Sequence, residues 1–254
     1  IISPTADGGL QSLRPVLLTA VLPIVAIFIV VATTVPSAPP ANPVNETETT
    51  YPPPAAIALV ALPGFRLAHP RLPHPAPTDV AMLQTFNPTY LAQIASAARS
   101  NPNAIDTAIL AAALKPNSVD LSRTHEKLMA LQFWERGHGQ VKPLALAYDW
   151  LYDQWTVAER EALRDKLAQG CDYVIDVIRK EALSPYNVFL YNAPLQALMA
   201  CSIALYRDHP RGEAYMGFTH ELWKNRVLPV WRQIFGRNGG WHEGGEYVAI
   251  GIGQ

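Results

Sequence analysis

The chain has 254 residues, 49% of them hydrophobic and only 16% charged, which is enough apolar material for one large domain or two small ones. Its formal net charge is -1, so it lacks the surplus of Lys and Arg on which general nucleic-acid binding depends, and we expect no nucleic-acid partner. A local basic patch for an acidic polymer is still allowed. Because the sequence begins with Ile1 and ends with Gln254, we expect a fragment that is open at both ends.

Residues 16–35 form an apolar run that no charge interrupts, and Arg14 stands just before it. About 20 apolar residues suffice to cross a bilayer as a helix, and a positive flank before an apolar run also describes a signal peptide. The pattern therefore predicts that residues 1–35 are an apolar helix acting as a signal peptide or a membrane anchor. In both cases the remainder is exported to the periplasm or cell exterior, and the membrane is a partner if the segment is not cleaved.

Residues 36–77 are rich in proline, with runs at Pro39-Pro40 and Pro52-Pro53-Pro54. Proline removes a backbone donor and fixes φ, so this composition predicts an extended and poorly ordered linker. The linker would separate the N-terminal segment from a domain over residues 78–254.

From residue 78 onward the apolar residues recur at helical spacing, without an alternating strand pattern. Asn87-Pro88 and Pro229 predict interruptions, and Thr156 with Glu159 forms a capping box that opens a long helix. The predicted helices cover residues 79–100 in two pieces, 104–114, 123–136, 141–153, 156–182, 192–206 and 213–235. Several helices joined by short loops indicate an all-α domain, as a bundle, a superhelix or an α/α toroid.

Cys171 and Cys201 lie in apolar stretches with a helical pattern, and neither belongs to a CxxC motif. Buried free thiols are the favoured interpretation of such positions. A disulfide stays open if the domain is exported, because disulfides persist in oxidising compartments.

Three motifs follow one another along the chain: HPRL at residues 69–72, the YDW segment at 144–152, and the run 187–206 followed by GGWHEGGEY at 239–247. In this order and spacing they resemble the heparinase II/III-type polysaccharide lyases and the related alginate lyases, over about residues 69–254. The resemblance implies that residues 78–254 form an incomplete (α/α) toroid, truncated at its C-terminus. The C-terminal β-sandwich of the family would be missing, together with any structural metal that it holds, and no cofactor is implied for this fragment.

Lyases of this family cleave uronate-containing glycans by β-elimination, so the resemblance implies an acidic polysaccharide as the substrate. It also implies that Tyr247 serves as the catalytic acid and base and that an asparagine neutralises the uronate carboxylate. Asn192, 55 residues before Tyr247, is the first candidate for that asparagine, and Asn187 is the second. An amide suits the task because it donates two hydrogen bonds without a competing charge. The ordinary alternatives are a helix N-cap for Asn192 and a turn residue for Asn187.

Further side chains are candidates for substrate contacts. The glycine-rich motif would contribute three of them, and two aromatic rings of the YDW segment would contact sugar unless they belong to the core. These candidates are Trp241, His242, Glu243, Tyr148 and Trp150. Solvated surface arginine is the favoured interpretation of Arg71, Arg123 and Arg136. A single His-Glu pair offers too few ligands for a metal site, so no metal is predicted.

Two other functions remain open at this point. A glycoside hydrolase on the same fold needs two carboxylic acids flanking the scissile bond, and Asp149, Glu243 and Glu246 are the candidates. A non-catalytic, membrane-tethered helical module that binds glycans fits the apolar segment and the linker equally well.

Overall fold

The computed structural model describes residues 50–59, 61–101, 103–133 and 137–238, with side chains in these ranges except at 137–138, 188, 192 and 234–238. Within these ranges the protein is helical and contains no strand, which confirms the all-α prediction. The α-helices in chain order are α1 (Pro77–Phe86), α2 (Tyr90–Ser100), α3 (Ile105–Leu114), α4 (Leu121–Ala130), α5 (Val141–Trp150), α6 (Val157–Lys180), α7 (Val188–Asn192), α8 (Pro194–Leu205), α9 (Gly212–Glu221) and α10 (Leu228–Asn238). Short 3-10 turns lie at Pro54–Ala56, Gly137–Gln140 and Tyr152–Gln154.

Helices α6 and α8 form the centre of the fold. Thr156 caps α6: its hydroxyl accepts from the Glu159 N–H at 3.3 Å, and the Glu159 carboxylate accepts from the Thr156 N–H at 2.9 Å, as the capping box predicts. Helix α8 packs against α5, α6, α7 and α9, and all of its residues except Gln196 are buried. A helix that is buried on every side is apolar on every side, which is why α8 shows no amphipathic pattern.

The predicted core faces of α5 and α6 are confirmed. In α6 the residues expected to point inward are fully buried: Leu163, Leu167, Cys171, Val174 and Ile178. In α5 and the residue after it the same holds for Leu144, Ala147, Tyr148 and Leu151. Apolar spacing of three and four residues therefore located the core of these two helices without tertiary information.

The chain between α9 and α10 widens into a π-helical turn, Leu222–Val227, immediately before Pro229. The N–H of Leu228 bonds to the carbonyl of Trp223, five residues back rather than four. In a regular α-helix the proline ring would collide with the carbonyl four residues earlier, and the extra residue in the turn relieves that collision. The disturbance predicted at Pro229 takes this form.

The Pro-rich segment differs from its prediction from Tyr51 onward. Tyr51 is buried and donates its hydroxyl to the carbonyl of Leu183 at 2.5 Å, and Leu72 is buried in the same core. Phe65 packs against that core as well. Proline keeps the segment largely free of regular structure, but its apolar side chains Tyr51, Phe65 and Leu72 pack on the core of the helical domain. The described residues from Tyr51 onward are therefore packed on the helical domain and are not a poorly ordered linker, whereas residues 36–49 lie outside the described residues.

Two further expectations concern helix length. Helix α4 ends at Ala130, because Leu131 adopts an extended backbone with ψ 135°, so the helix predicted to continue through Leu131 stops earlier. Among the described residues no helix combines the length and apolarity needed to cross a membrane. The segment predicted to be a signal peptide or anchor, residues 1–35, lies outside the described residues.

Candidate functional site

Asn187 is the N-cap residue of α7. Its Oδ1 accepts a hydrogen bond from the Phe189 N–H at 2.9 Å, which is a common task of asparagine at this position. The side chain is half-buried, and its Nδ2 has no hydrogen-bond partner among the described residues. The amide therefore caps the helix with its oxygen and keeps two N–H donors available for a ligand. The alternative of a plain turn residue is corrected to a capping role.

Helix α10 lies beside this asparagine, against residues 184–191, which we call the SPYN segment. The Tyr186 hydroxyl donates to Gln233 Oε1 at 3.1 Å. The ring of Tyr191 meets the ring of Trp231 edge-on, with centroids 5.9 Å apart. These two contacts attach α10 to the chain on both sides of the capping asparagine.

The glycine-rich motif follows α10 directly. Helix α10 ends at Asn238, and Gly239 is the next residue. The motif therefore begins roughly one and a half helical turns beyond Gln233, at about 3.6 residues per turn. Four candidate site residues belong to it and lie outside the described residues: Trp241, His242, Glu243 and Tyr247.

Asn192 is the last residue of α7, and its side chain is not among those described. The following helix, α8, begins at Pro194 and has Ala193 as its N-cap residue. The expected N-cap alternative for Asn192 is therefore wrong, because Asn192 stands one residue before the capping position. Since α7 is only 5 residues long, Asn187 and Asn192 border the same short helix on its two ends.

A second polar site joins the other two motifs. His69 Nδ1 lies 2.6 Å from Asp149 Oδ1, and His69 Nε2 lies 2.7 Å from Asp208 Oδ2. The His69 ring stacks on the ring of Tyr152 with centroids 3.8 Å apart. Both Asp149 oxygens also accept from the Arg71 N–H. HPRL and the YDW segment thus meet in one place, which we call the His69 cluster (His69, Arg71, Tyr148, Asp149 and Asp208).

Arg71 is not the solvated surface arginine that its sequence context favoured, because its side chain is only 3% exposed. Its guanidinium donates to the carbonyls of Leu67, Ala204 and Tyr206, and to Asp208 Oδ1 at 2.6 Å. A buried guanidinium is costly unless charge and acceptors surround it, and its planar fork reaches all of these partners at once. Arg71 therefore connects the HPRL motif to the end of α8 and the turn that follows it.

The ionisable groups of the His69 cluster shift one another's pKa values. Burial disfavours the imidazolium of His69, but hydrogen bonds with Asp149 and Asp208 outweigh burial and raise its pKa. Burial also opposes ionisation of Asp208, yet hydrogen bonds from His69, Arg71 and Tyr148 lower its pKa to about 2. Burial and the Asp208 charge raise the pKa of Tyr148, so its phenol is a neutral donor. The cluster therefore favours the charged forms of His69 and Asp208 and the neutral form of Tyr148.

Tyr148 and Trp150 differ in their access to a ligand. Tyr148 is 1% exposed and its hydroxyl donates to Asp208 Oδ2 at 2.9 Å, so its predicted sugar contact is wrong and it belongs to the core. Trp150 is half-buried, and its ring meets His74 edge-on with centroids 5.4 Å apart. Its indole N–H has no hydrogen-bond partner within the described part of the chain. Trp150 keeps its place among the substrate-contact candidates.

Sequence reasoning missed that His69 pairs with Asp149 and that Asp208 is the second partner of His69. Part of the signal was present, because Asp149 follows Tyr148 on the core face of α5 and a buried carboxylate requires donors or a cation. Nothing local marks Asp208, which lies in the turn after α8 and meets His69 only in the folded chain.

Within the described residues, no group of three or more His, Cys, Asp or Glu side chains is arranged to hold a metal ion. No protein-family model, curated protein or solved structure matches this chain.

Proposed function

We propose that this protein is a polysaccharide lyase that cleaves uronate-containing glycans by β-elimination. The observation that carries the proposal is the position of α10, which packs on the SPYN segment and leads directly into GGWHEGGEY, the motif that contains Tyr247. Both candidate asparagines lie in or beside the segment that α10 contacts, and Tyr247 stands nine residues beyond the end of α10 in the sequence.

In the proposed reaction an asparagine amide donates hydrogen bonds to the uronate carboxylate, so that negative charge can develop beside it at lower cost. Asn192 is the first assignment for this amide and Asn187 the second, and the Nδ2 of Asn187, which has no partner in the described part of the chain, suits the task. Tyr247 accepts the proton from C5 and gives a proton to the departing glycosidic oxygen. The C5–H and C4–O bonds break, a C4–C5 double bond forms, and no water is consumed.

The finer architecture belongs to the same proposal: the helices would form an incomplete (α/α) toroid. Successive helices pack against each other, α2 with α3, α3 with α4, α5 with α6 and α8 with α9, as a ring of helical pairs requires. Trp241, His242 and Glu243 would line the cleft that holds the glycan. Export, with or without a retained anchor, rests on the apolar run at residues 16–35.

The hydrolase alternative loses one candidate acid. The Asp149 side chain is 0% exposed, and its oxygens accept from His69, Arg71 and Leu72. A carboxylate engaged in this way cannot approach a glycosidic bond, so Asp149 is not a catalytic acid or base. A hydrolase would have to use Glu243 and Glu246, which stand on the same glycine-rich motif.

An absorbance assay on a panel of uronate polymers tests the proposal with the full-length protein. Elimination creates a C4–C5 double bond conjugated with the carboxylate, which absorbs ultraviolet light, whereas hydrolysis creates reducing ends without that absorbance. We expect absorbance and new reducing ends in equal amounts.

The other outcomes are also informative. Reducing ends without absorbance would overturn the lyase proposal in favour of a hydrolase. Neither signal with glycosaminoglycans, alginate and bacterial exopolysaccharides, combined with binding to one of them, would indicate a non-catalytic glycan-binding module.

A further inference from the structure

The two cysteines of the chain meet at the centre of the fold. Cys171 lies in α6 and Cys201 in α8, the two helices that form the core of the domain. Their Sγ atoms are 2.8 Å apart, and both side chains are completely buried. The sequence separates them by 30 positions, so only the packing of α6 on α8 brings them together.

We propose that Cys171 and Cys201 form a disulfide that joins α6 to α8 when the chain folds in an oxidising environment. The two thiols lose two protons and two electrons, and one S–S bond forms. The electron acceptor is a disulfide of the thiol–disulfide exchange class, such as oxidised glutathione or the disulfide of an oxidoreductase. One cysteine attacks it to give a mixed disulfide and releases the first thiol of the acceptor. The second cysteine attacks the mixed disulfide, forms the Cys171–Cys201 bond and releases the second thiol.

The geometry suits this bond better than it suits the alternatives for two adjacent thiols. An S–S bond is about 2.05 Å long, so the sulfur atoms need to approach by less than about 1 Å. A metal site would need three or four convergent ligands, and the described residues offer no group of three or more His, Cys, Asp or Glu side chains around a common point. Besides its partner sulfur, Cys201 Sγ contacts the carbonyl of Leu198 at 3.3 Å.

The bond would close a loop that contains both candidate asparagines. Residues 172–200 include the end of α6, the SPYN segment with Asn187, all of α7 with Asn192, and the first half of α8. A crosslink at the ends of this loop restricts the unfolded chain and holds α6 and α8 at a fixed spacing, and α8 also packs against α7. The disulfide is thus a structural support for this loop, and its existence does not depend on the proposed lyase activity.

Burial determines when the bond can form. Burial, together with the contact with Cys201, raises the pKa of the Cys171 thiol, so little of the reactive thiolate exists in the folded protein. Exchange in the native state is therefore slow. Oxidation takes place during folding, before α6 and α8 have packed together and buried the two thiols. Protein that has folded in a reducing environment should keep both thiols even when an oxidant is added later.

Counting thiols in the denatured full chain tests the proposal directly. The chain is unfolded, refolded in a buffer of reduced and oxidised glutathione, unfolded again without reductant, and treated with a maleimide-linked polyethylene glycol. We expect no labelled thiol, an intact mass lower by two hydrogen atoms, and a peptide pair joined through Cys171 and Cys201. Two labelled thiols per chain, or cysteines joined between chains, would overturn the proposal.

A melting experiment provides a second readout that does not depend on a variant's ability to fold. Chain refolded with the glutathione mixture should melt about 10 °C above chain refolded in excess reductant, given the loop that the bond closes and the size of the domain. The double variant Cys171→Ala with Cys201→Ala serves as the control and should melt at one temperature in both buffers. Equal melting of the wild-type chain in both buffers would overturn a supporting role for the bond.

Discussion

The His69 cluster and the SPYN segment are both polar sites of the helical domain, and they are built in opposite ways. In the His69 cluster the oxygens of Asp149 and the guanidinium of Arg71 are engaged by neighbours and almost completely buried. In the SPYN segment Asn187 keeps an amide nitrogen that has no partner among the described residues, and Phe189 is 53% exposed. A saturated interior cluster has nothing left to offer a ligand, whereas a half-exposed donor does. The His69 cluster therefore stabilises the fold, whereas the SPYN segment keeps a donor that a ligand can use.

The largest expected effect falls on the glycine-rich motif. Replacing Tyr247 with Phe removes the proposed proton carrier, and we expect uronate elimination to fall by about 100-fold to 10,000-fold. The melting temperature should not change, and Tyr90→Phe in α2, far along the chain from the motif, is the matched control that keeps full activity. Measured elimination at the wild-type rate in the Tyr247→Phe protein would remove this tyrosine from the mechanism.

The opposite pattern is expected for the His69 cluster. Asp149→Ala leaves His69 and two backbone N–H groups without their acceptor in the interior, which should lower the free energy of unfolding by about 3–5 kcal/mol. Urea unfolding followed by circular dichroism measures this loss. Asp165→Ala is the control, because Asp165 is 59% exposed and pairs with Arg164 at the surface; it should change stability by less than about 0.5 kcal/mol. Similar unfolding curves for both variants would mean that the cluster does not hold the fold together.

The two asparagines provide a sharper test of the SPYN segment. Asn187→Asp keeps the capping oxygen but replaces the donor with a negative charge, so stability should be retained. If Asn187 neutralises the uronate, elimination should fall by about 100-fold, as it does when one donor to a developing anion is lost. If Asn192 carries that role, Asn192→Ala should show this loss and Asn187→Asp should remain nearly as active. Full activity in both variants would rule out an asparagine as the neutraliser.

The smallest expected effect is a pH dependence of stability that arises in the His69 cluster. The lowered pKa of Asp208, about 2, means that its contribution is present above its unfolded value of 3.8 and is lost as the pH falls toward 2. The raised pKa of His69 means that its contribution is complete below 6.5 and is lost as the pH rises through the folded value. Stability should therefore be highest between about pH 4 and pH 6.5, the ordinary values for the two residue types.

Substitution identifies the histidine responsible for the alkaline side of that profile. His69→Gln cannot be charged, so the loss of stability above pH 6.5, measured by thermal unfolding across pH, should disappear. His209→Gln is the control: burial and Arg211 lower the pKa of His209, so its protonation affects stability only on the acid side. An unchanged alkaline slope in His69→Gln would show that another group titrates there.

The sequence by itself predicted the helical class, the capped start of α6, the core faces of α5 and α6, and the interruption at Pro229. All of these depend on neighbours within one or two helical turns, where periodicity and capping chemistry act. The sequence did not predict the burial of residues whose environment depends on contacts between distant segments. Arg71 reads as a surface arginine, and only its approach to Asp208 and the carbonyls after α8 buries it. Tyr51 reads as part of a linker, and only its bond to Leu183 holds it on the core.

The same division applies to the candidate site. The order of the motifs and the residue types of Asn187, Asn192 and Tyr247 are properties of the sequence, and they suffice to propose an elimination. Whether the hydrogen-bonding groups of a polar residue are satisfied inside the protein or remain available to a ligand depends on which groups surround that residue after folding. Packing pairs Asp149 with His69 and leaves the Asn187 amide nitrogen unpaired among the described residues, because Asp149 lies on the core side of α5 and Asn187 is a half-buried N-cap residue. That distinction is set by the tertiary structure alone, since hydrogen-bond satisfaction is a property of neighbours in space.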